Sequence, residues 1–144
     1  MGNGADFFAR DAAGRQSEYD SLSPAVTVNG IKGHLIKRKG DSDTHTNLPF
    51  YANTSDVYFK ISDVTCQIEQ ARFYSNRRAV MDFDWGHPHG KNNEFPEGVV
   101  HVQAFNYDSK TKKLRTASTR LMTNEEIAKF GDILKKVNPN IKFR

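Results

Sequence analysis

Three strand-like runs follow one another between Val57 and Trp85, and they constrain the fold more than any other feature of the chain. VYFKI (Val57–Ile61), CQIEQARFY (Cys66–Tyr74) and RAVMDFDW (Arg78–Trp85) are rich in β-branched and aromatic residues, with only the short polar stretches SDVT and SNR between them. Connections this short join neighbouring antiparallel strands, so the runs predict a meander. In the third run the two-residue period puts Ala79, Met81, Phe83 and Trp85 on one face and Val80, Asp82 and Asp84 on the other. One face is expected to be core and the other to carry acids.

The flanks extend the sheet. AVTV, the dipeptide Asn29-Gly30 and IKGHLIKRK form a hairpin signal in which both turn residues tolerate positive φ. Its basic run Lys37-Arg38-Lys39 reads either as a solvated strand edge or as a phosphate contact. Gly40–Ser55 is a long polar loop containing His45. Downstream, VVHVQAF reads as a strand, and a further strand pair is expected around NYDSKTKKLRTAS. Thr123 to Glu126 spell a capping box, Ile127, Phe130, Leu134 and Val137 repeat at helical spacing, and Asn138-Pro139 stops the helix. Residues 1–24 carry little apolar pattern and read as a flexible or weakly helical segment ahead of a single domain over 25–144. The expected fold class is α+β: an antiparallel sheet of about five or six strands, largely a meander, with the C-terminal helix packed on it.

Composition narrows function by exclusion. A chain of 144 residues fits one domain, and its single cysteine, Cys66, excludes a disulfide framework and a multi-cysteine zinc module. Cys66 itself reads as a half-buried strand residue rather than a nucleophile. Lys and Arg number 21 against 17 Asp and Glu, a formal charge of +4, which suits a polyanionic partner. No apolar run is long enough to span a bilayer, and no basic-then-apolar leader opens the chain, so neither a membrane segment nor a signal peptide is expected. Phosphate-loop, dinucleotide-binding, zinc-protease and nucleophile-elbow motifs are missing from the sequence.

The chemistry-bearing stretch is Asp82–Gln103, DFDWGHPHGKNNEFPEGVVHVQ, with three of the five histidines. In its last strand His101 and Gln103 alternate with Val100, Val102 and Ala104, on the kind of face that Asp82 and Asp84 occupy. If the two strands pair, the acids, His101 and Gln103 line one surface with His87 and His89 at its rim.

Three readings are open. In the first, two imidazoles cleave RNA without metal or cofactor, His89 and His101 as the acid/base pair and His87 in support. Arg72, Arg77, Arg78, Lys60 and Lys91 are then candidates for the phosphoryl charge, Asp84 and Gln103 for polar contact, and Tyr74, Trp85 and Tyr107 for base stacking. In the second, His87, His89 and His101 bind a metal together with Asp84, Glu94 or Glu97. HPH and PEGVVH resemble fragments of the two cupin motifs, although only eleven residues lie between His89 and His101 where cupins place a hairpin. In the third, the histidines cap a turn or sit satisfied in the sheet, and the chain is a non-enzymatic binding or structural module of a phage or secreted parent.

The order QARFY, a turn with Asn and Arg, AVMDFDWGHPHG and VVHVQAF resembles the C-terminal toxin domains of bacterial polymorphic toxin systems, over about fifty residues. Many of these are similar to the ribonuclease group that includes barnase, EndoU, colicin and RelE-like domains. The resemblance implies a four-stranded antiparallel sheet after an N-terminal helical part, whereas here the clear helix is C-terminal. It further implies His87, His89 and His101 as active-site histidines, an arginine such as Arg78 on phosphate, and a neutralising immunity protein as partner. Together these expectations describe a monomer that acts on RNA after secretion or delivery into a target-cell cytoplasm.

Overall fold

The computed structural model describes residues 8–10, 16–39, 48–52, 55–61, 67–86, 95–108, 110, 113–116 and 118–144. The fold is α+β, an open and mostly antiparallel sheet with one C-terminal helix. The expected five or six strands become ten among the described residues: β1 (Phe8–Arg10), β2 (Gln16–Ser21), β3 (Val26–Val28), β4 (Ile31–Arg38), β5 (Val57–Ile61), β6 (Ile68–Ser75), β7 (Arg78–Asp84), β8 (His101–Asp108), β9 (Lys113–Thr116) and β10 (Arg120–Leu121). Eight follow one another across the sheet as β1-β2-β4-β5-β6-β7-β8-β10, with β3 on β4 and β9 on β8. No helix of the described residues is long and apolar enough to cross a membrane.

The excess strands arise where the sequence is polar. β1 and β2 lie in the segment read as irregular or weakly helical, and QSEYDS offers no apolar alternation. β2 is held by pairing with β4, Tyr19 opposite Arg38, and by burial of Tyr19. One pair departs from the antiparallel rule: β4 and β5 run parallel, Gly33 opposite Val57, so the connection between them is a crossover, of which residues 39, 48–52, 55 and 56 are described.

Two turns set the register. Asn29 and Gly30, with φ of 52° and 78°, join β3 to β4, and Asn76 and Arg77, with φ of 52° and 65°, join β6 to β7. Positive φ at both central residues gives the type I′ hairpin that matches strand twist. Between Phe73 and Tyr74 the register shifts, their partners being Met81 and Ala79, so Val80 is the extra residue of a bulge. Ala79 therefore leaves the face expected for it and joins the second core with Tyr58 and Tyr74.

The sheet buries both faces. On one, Phe59, Phe83, Trp85 and Val102 pack against Phe130, Ile133 and Leu134 of α1 (Asn124–Val137). Phe130 lies 4.6 Å from Phe73 and 5.1 Å from Phe83 between ring centroids. Gly33 permits the close approach here, because a Cβ at that position would come within 2.5 Å of the buried Phe59 ring. The helix starts at Thr123, whose hydroxyl accepts the Glu126 N–H while the Glu126 carboxylate accepts the Thr123 N–H. On the opposite face, Tyr19, Ile36, Leu48, Ala52, Tyr58, Tyr74 and Ala79 form a smaller core roofed by the crossover segment.

Candidate functional site

The face opposite α1 carries the polar residues. Strand register lines Lys60, Gln70, Asp84 and His101 in one row across β5, β6, β7 and β8, and Tyr58, Arg72, Asp82 and Gln103 in the next. Asp84 thus sits directly opposite His101, and Asp82 opposite Gln103, with Met81, Phe83 and Val102 turned to the helix side.

Two arginines, one on β6 and one on β7, each lie against two aromatic rings, one ring from the crossover segment and one from β8. Arg72 lies 4.9 Å from the Phe50 centroid and 5.0 Å from Phe105. Its Nε donates to Asp82 Oδ1 at 2.6 Å and its Nη2 to Asp82 Oδ2 at 3.0 Å, while Nη1 donates to the Leu48 carbonyl at 2.6 Å. Gln70 Nε2 adds a third bond to the Asp82 carboxylate at 3.1 Å. Burial opposes the Arg72 charge, but the charge and hydrogen bonds of Asp82 outweigh it and hold the guanidinium above its usual range. Burial pushes the Asp82 carboxyl up, against the pull of Arg72. Tyr74 completes the knot by donating its hydroxyl to the Pro49 carbonyl, and burial raises its pKa well above the ordinary phenol value. Arg72 and Tyr74, expected on substrate, are interior fasteners that bind the crossover to the sheet.

Arg78 is the open counterpart. Its guanidinium lies 4.1 Å from the Tyr107 centroid and 6.0 Å from Tyr51, and among the described residues no hydrogen bond or ion pair engages it. The bridge between Tyr51 and Arg78, and the bonds from Ala52 N–H to the Arg77 carbonyl and from Ala79 N–H to the Phe50 carbonyl, bring the crossover alongside the start of β7. Tyr107 is 38 % exposed, and the adjacent Arg77 is exposed on the turn.

His101 begins β8 and is fully buried at 0 % exposure, with the Phe95 ring 5.9 Å away. Its Nδ1 lies 3.3 Å from the Val99 carbonyl. A proton on Nδ1, donated to that carbonyl, makes Nε2 the basic nitrogen. Asp84 is half-buried, and its Oδ1 accepts the Gly86 N–H at 3.1 Å. Gln103 Nε2 donates to the Thr119 hydroxyl at 3.0 Å. Trp85, expected to stack on bases, is instead core on the helix side, its indole donating to the Ile68 carbonyl at 2.9 Å. His87, His89, Lys91 and Glu94 lie outside the described residues, as do His45 and Cys66. Among the described residues no three His, Cys, Asp or Glu side chains gather as metal ligands.

Sequence reading missed the Tyr51 contact and the knot around Arg72. A signal for the knot was present: extending the Ser75 to Arg78 turn without a bulge would set Arg72 against Met81, a charge opposite an apolar residue, and one added residue on β7 restores Arg72 to Asp82. A cleft of about 120 Å³ between Glu69, Gly86, Gly98 and Asn138 opens at the other end of β7 from Arg78. Comparison with protein-family models, with curated proteins and with solved structures found no match.

Proposed function

We propose that the domain is a metal-independent ribonuclease of the toxin type, working from the face opposite α1. The observation that carries the reading is the register that sets Asp84 opposite His101 in a row with Gln70 and Lys60, on the face opposite α1. For cleavage the buried His101 side chain has to be opened to substrate; its Nε2, with the Nδ1 proton on the Val99 carbonyl, then takes the proton of a ribose 2′-hydroxyl. The 2′-oxygen attacks phosphorus, the bond to the 5′-oxygen breaks, and His89 gives that oxygen its proton, with His87 in support. The products are a 2′,3′-cyclic phosphate and a 5′-hydroxyl, so no oxidant or metal enters the balance. Asp84 stabilises the imidazolium, Lys60 lies in the same row, and Arg78, at the far end of β7, holds a neighbouring phosphate of the strand. As a delivered toxin, the domain would have an immunity protein that covers this face.

The complete burial of His101 beneath Phe95 favours a second reading, a non-enzymatic RNA-binding module in which the imidazole only packs. Purified protein incubated with single-stranded RNA in excess chelator separates the two. Cyclic-phosphate ends that disappear in His101→Gln, with the urea midpoint retained, support the enzyme. Equal cleavage by His101→Gln, or none by wild type, overturns it.

A further inference from the structure

We propose that Tyr51, Arg78 and Tyr107 form a reader for single-stranded RNA, built to take a phosphate on the Arg78 fork and a base against the Tyr107 ring. This rests on the RNA-directed reading of the same face and names how the strand is held. The comparison within the molecule is the basis. Arg72 and Arg78 share one plan, a guanidinium against a crossover aromatic and a β8 aromatic, Phe50 with Phe105 and Tyr51 with Tyr107. In the buried copy a carboxylate and backbone carbonyls consume the donors. In the other, no acid among the described residues stands opposite, and the ring that positions the arginine is exposed.

A guanidinium held over a ring still offers its planar N–H fork, the geometry that matches a phosphate. Pre-stacking removes the rotamer cost that a free surface arginine incurs on binding. Tyrosine, unlike phenylalanine at the buried copy, tolerates the water-exposed position while presenting a π-face to any base.

The turn points the same way. Arg77 holds φ at 65°, where glycine is the favoured residue after asparagine in a hairpin turn. A side chain there is strained, and it adds an exposed cation next to the half-buried Arg78. A duplex hides its base faces in the stack, so this arrangement selects single strands.

The test is fluorescence anisotropy with a 2′-O-methyl oligoribonucleotide, which lacks the attacking hydroxyl, as a single strand and as a duplex, over a salt series. Tyr107→Ala is expected to weaken single-strand binding about 5- to 140-fold, while Tyr107→Phe retains it. Arg78→Lys should behave as a loss, because lysine cannot stack and fork, and Arg78→Ala should lower the slope of log affinity against log salt by about 0.7. Arg77→Gly should raise the urea midpoint while weakening binding. Lys136→Gln, at an exposed position of α1, should bind as wild type does, and because the probe lacks the attacking hydroxyl a failed cleavage mechanism leaves this result intact. Duplex binding as tight as single-strand binding, affinities within twofold across the Arg78 and Tyr107 variants, or no binding by wild type would each overturn the reader.

Discussion

Asp82→Asn removes the carboxylate charge and leaves the buried Arg72 guanidinium without its ion-pair partner. Two charge-assisted hydrogen bonds of 2.6 and 3.0 Å are weakened or lost, and the Gln70 amide loses an anionic acceptor. Breaking one half of a buried pair costs about 3–5 kcal/mol. Arg72 keeps the Leu48 carbonyl and both aromatic rings, which puts the expectation at the lower end, about 3 kcal/mol. That is a large share of the roughly 5–15 kcal/mol typical of a folded domain. It corresponds to a melting point lowered by roughly 6–12 °C and a urea midpoint lowered by about 1–3 M. The double substitution Arg72→Met with Asp82→Leu should recover most of the loss, because replacing both charges with apolar groups of similar volume leaves nothing unpaired. Urea unfolding followed by circular dichroism reads both. A loss below about 1 kcal/mol in Asp82→Asn, or a double variant no better than the single, would refute the knot as an anchor of the crossover.

Two further outcomes follow from the packing and the cap. Gly33→Ala should destabilise by about 1–3 kcal/mol, because the added methyl meets the fully buried Phe59 ring at 2.5 Å; an unchanged urea midpoint would show that β4 can shift away from the helix face. The Arg120 guanidinium, together with the Thr123 N–H, holds the Glu126 carboxyl below its usual value. In acid the unfolded chain therefore binds more protons at this site than the folded one. The stability it contributes is fully present above the ordinary carboxylate pKa and is lost as pH falls through the lowered folded value. Glu126→Gln keeps the capping-box acceptor but should flatten that acid limb, and an unchanged pH dependence of melting would count against the pairing.

Much of the sheet could be read from residue pattern because local chemistry and tertiary context agree there. Asn29-Gly30, the alternation in β7 and β8, and the capping box at Thr123 each specify their own structure. The two-residue period sufficed to put Asp84 with His101 and Asp82 with Gln103 on one face. What the pattern could not supply were long-range terms. The polar β2 is a strand because β4 offers it a partner, and the parallel join of β4 to β5 depends on where the crossover runs. Burial also escaped the reading. An arginine and an aspartate ten residues apart look like surface charges until the bulge at Val80 brings them together under Phe50 and Phe105. Trp85 and His101 illustrate the same limit, since an aromatic or imidazole next to acids reads as a site whether or not solvent reaches it.

The most direct measurement is a chemical-shift titration of the isotope-labelled domain with the uncleavable 2′-O-methyl single strand, following backbone amides together with the Arg78 side chain and the His101 ring. Binding across the face opposite α1 and the Arg78 stack at its end should concentrate the changes on Arg77, Arg78, Tyr107 and the row from Lys60 to His101, leaving the exposed positions of Asn124–Val137 unmoved. Changes centred on α1, or none at saturating RNA, would contradict the assignment of this face as the working surface.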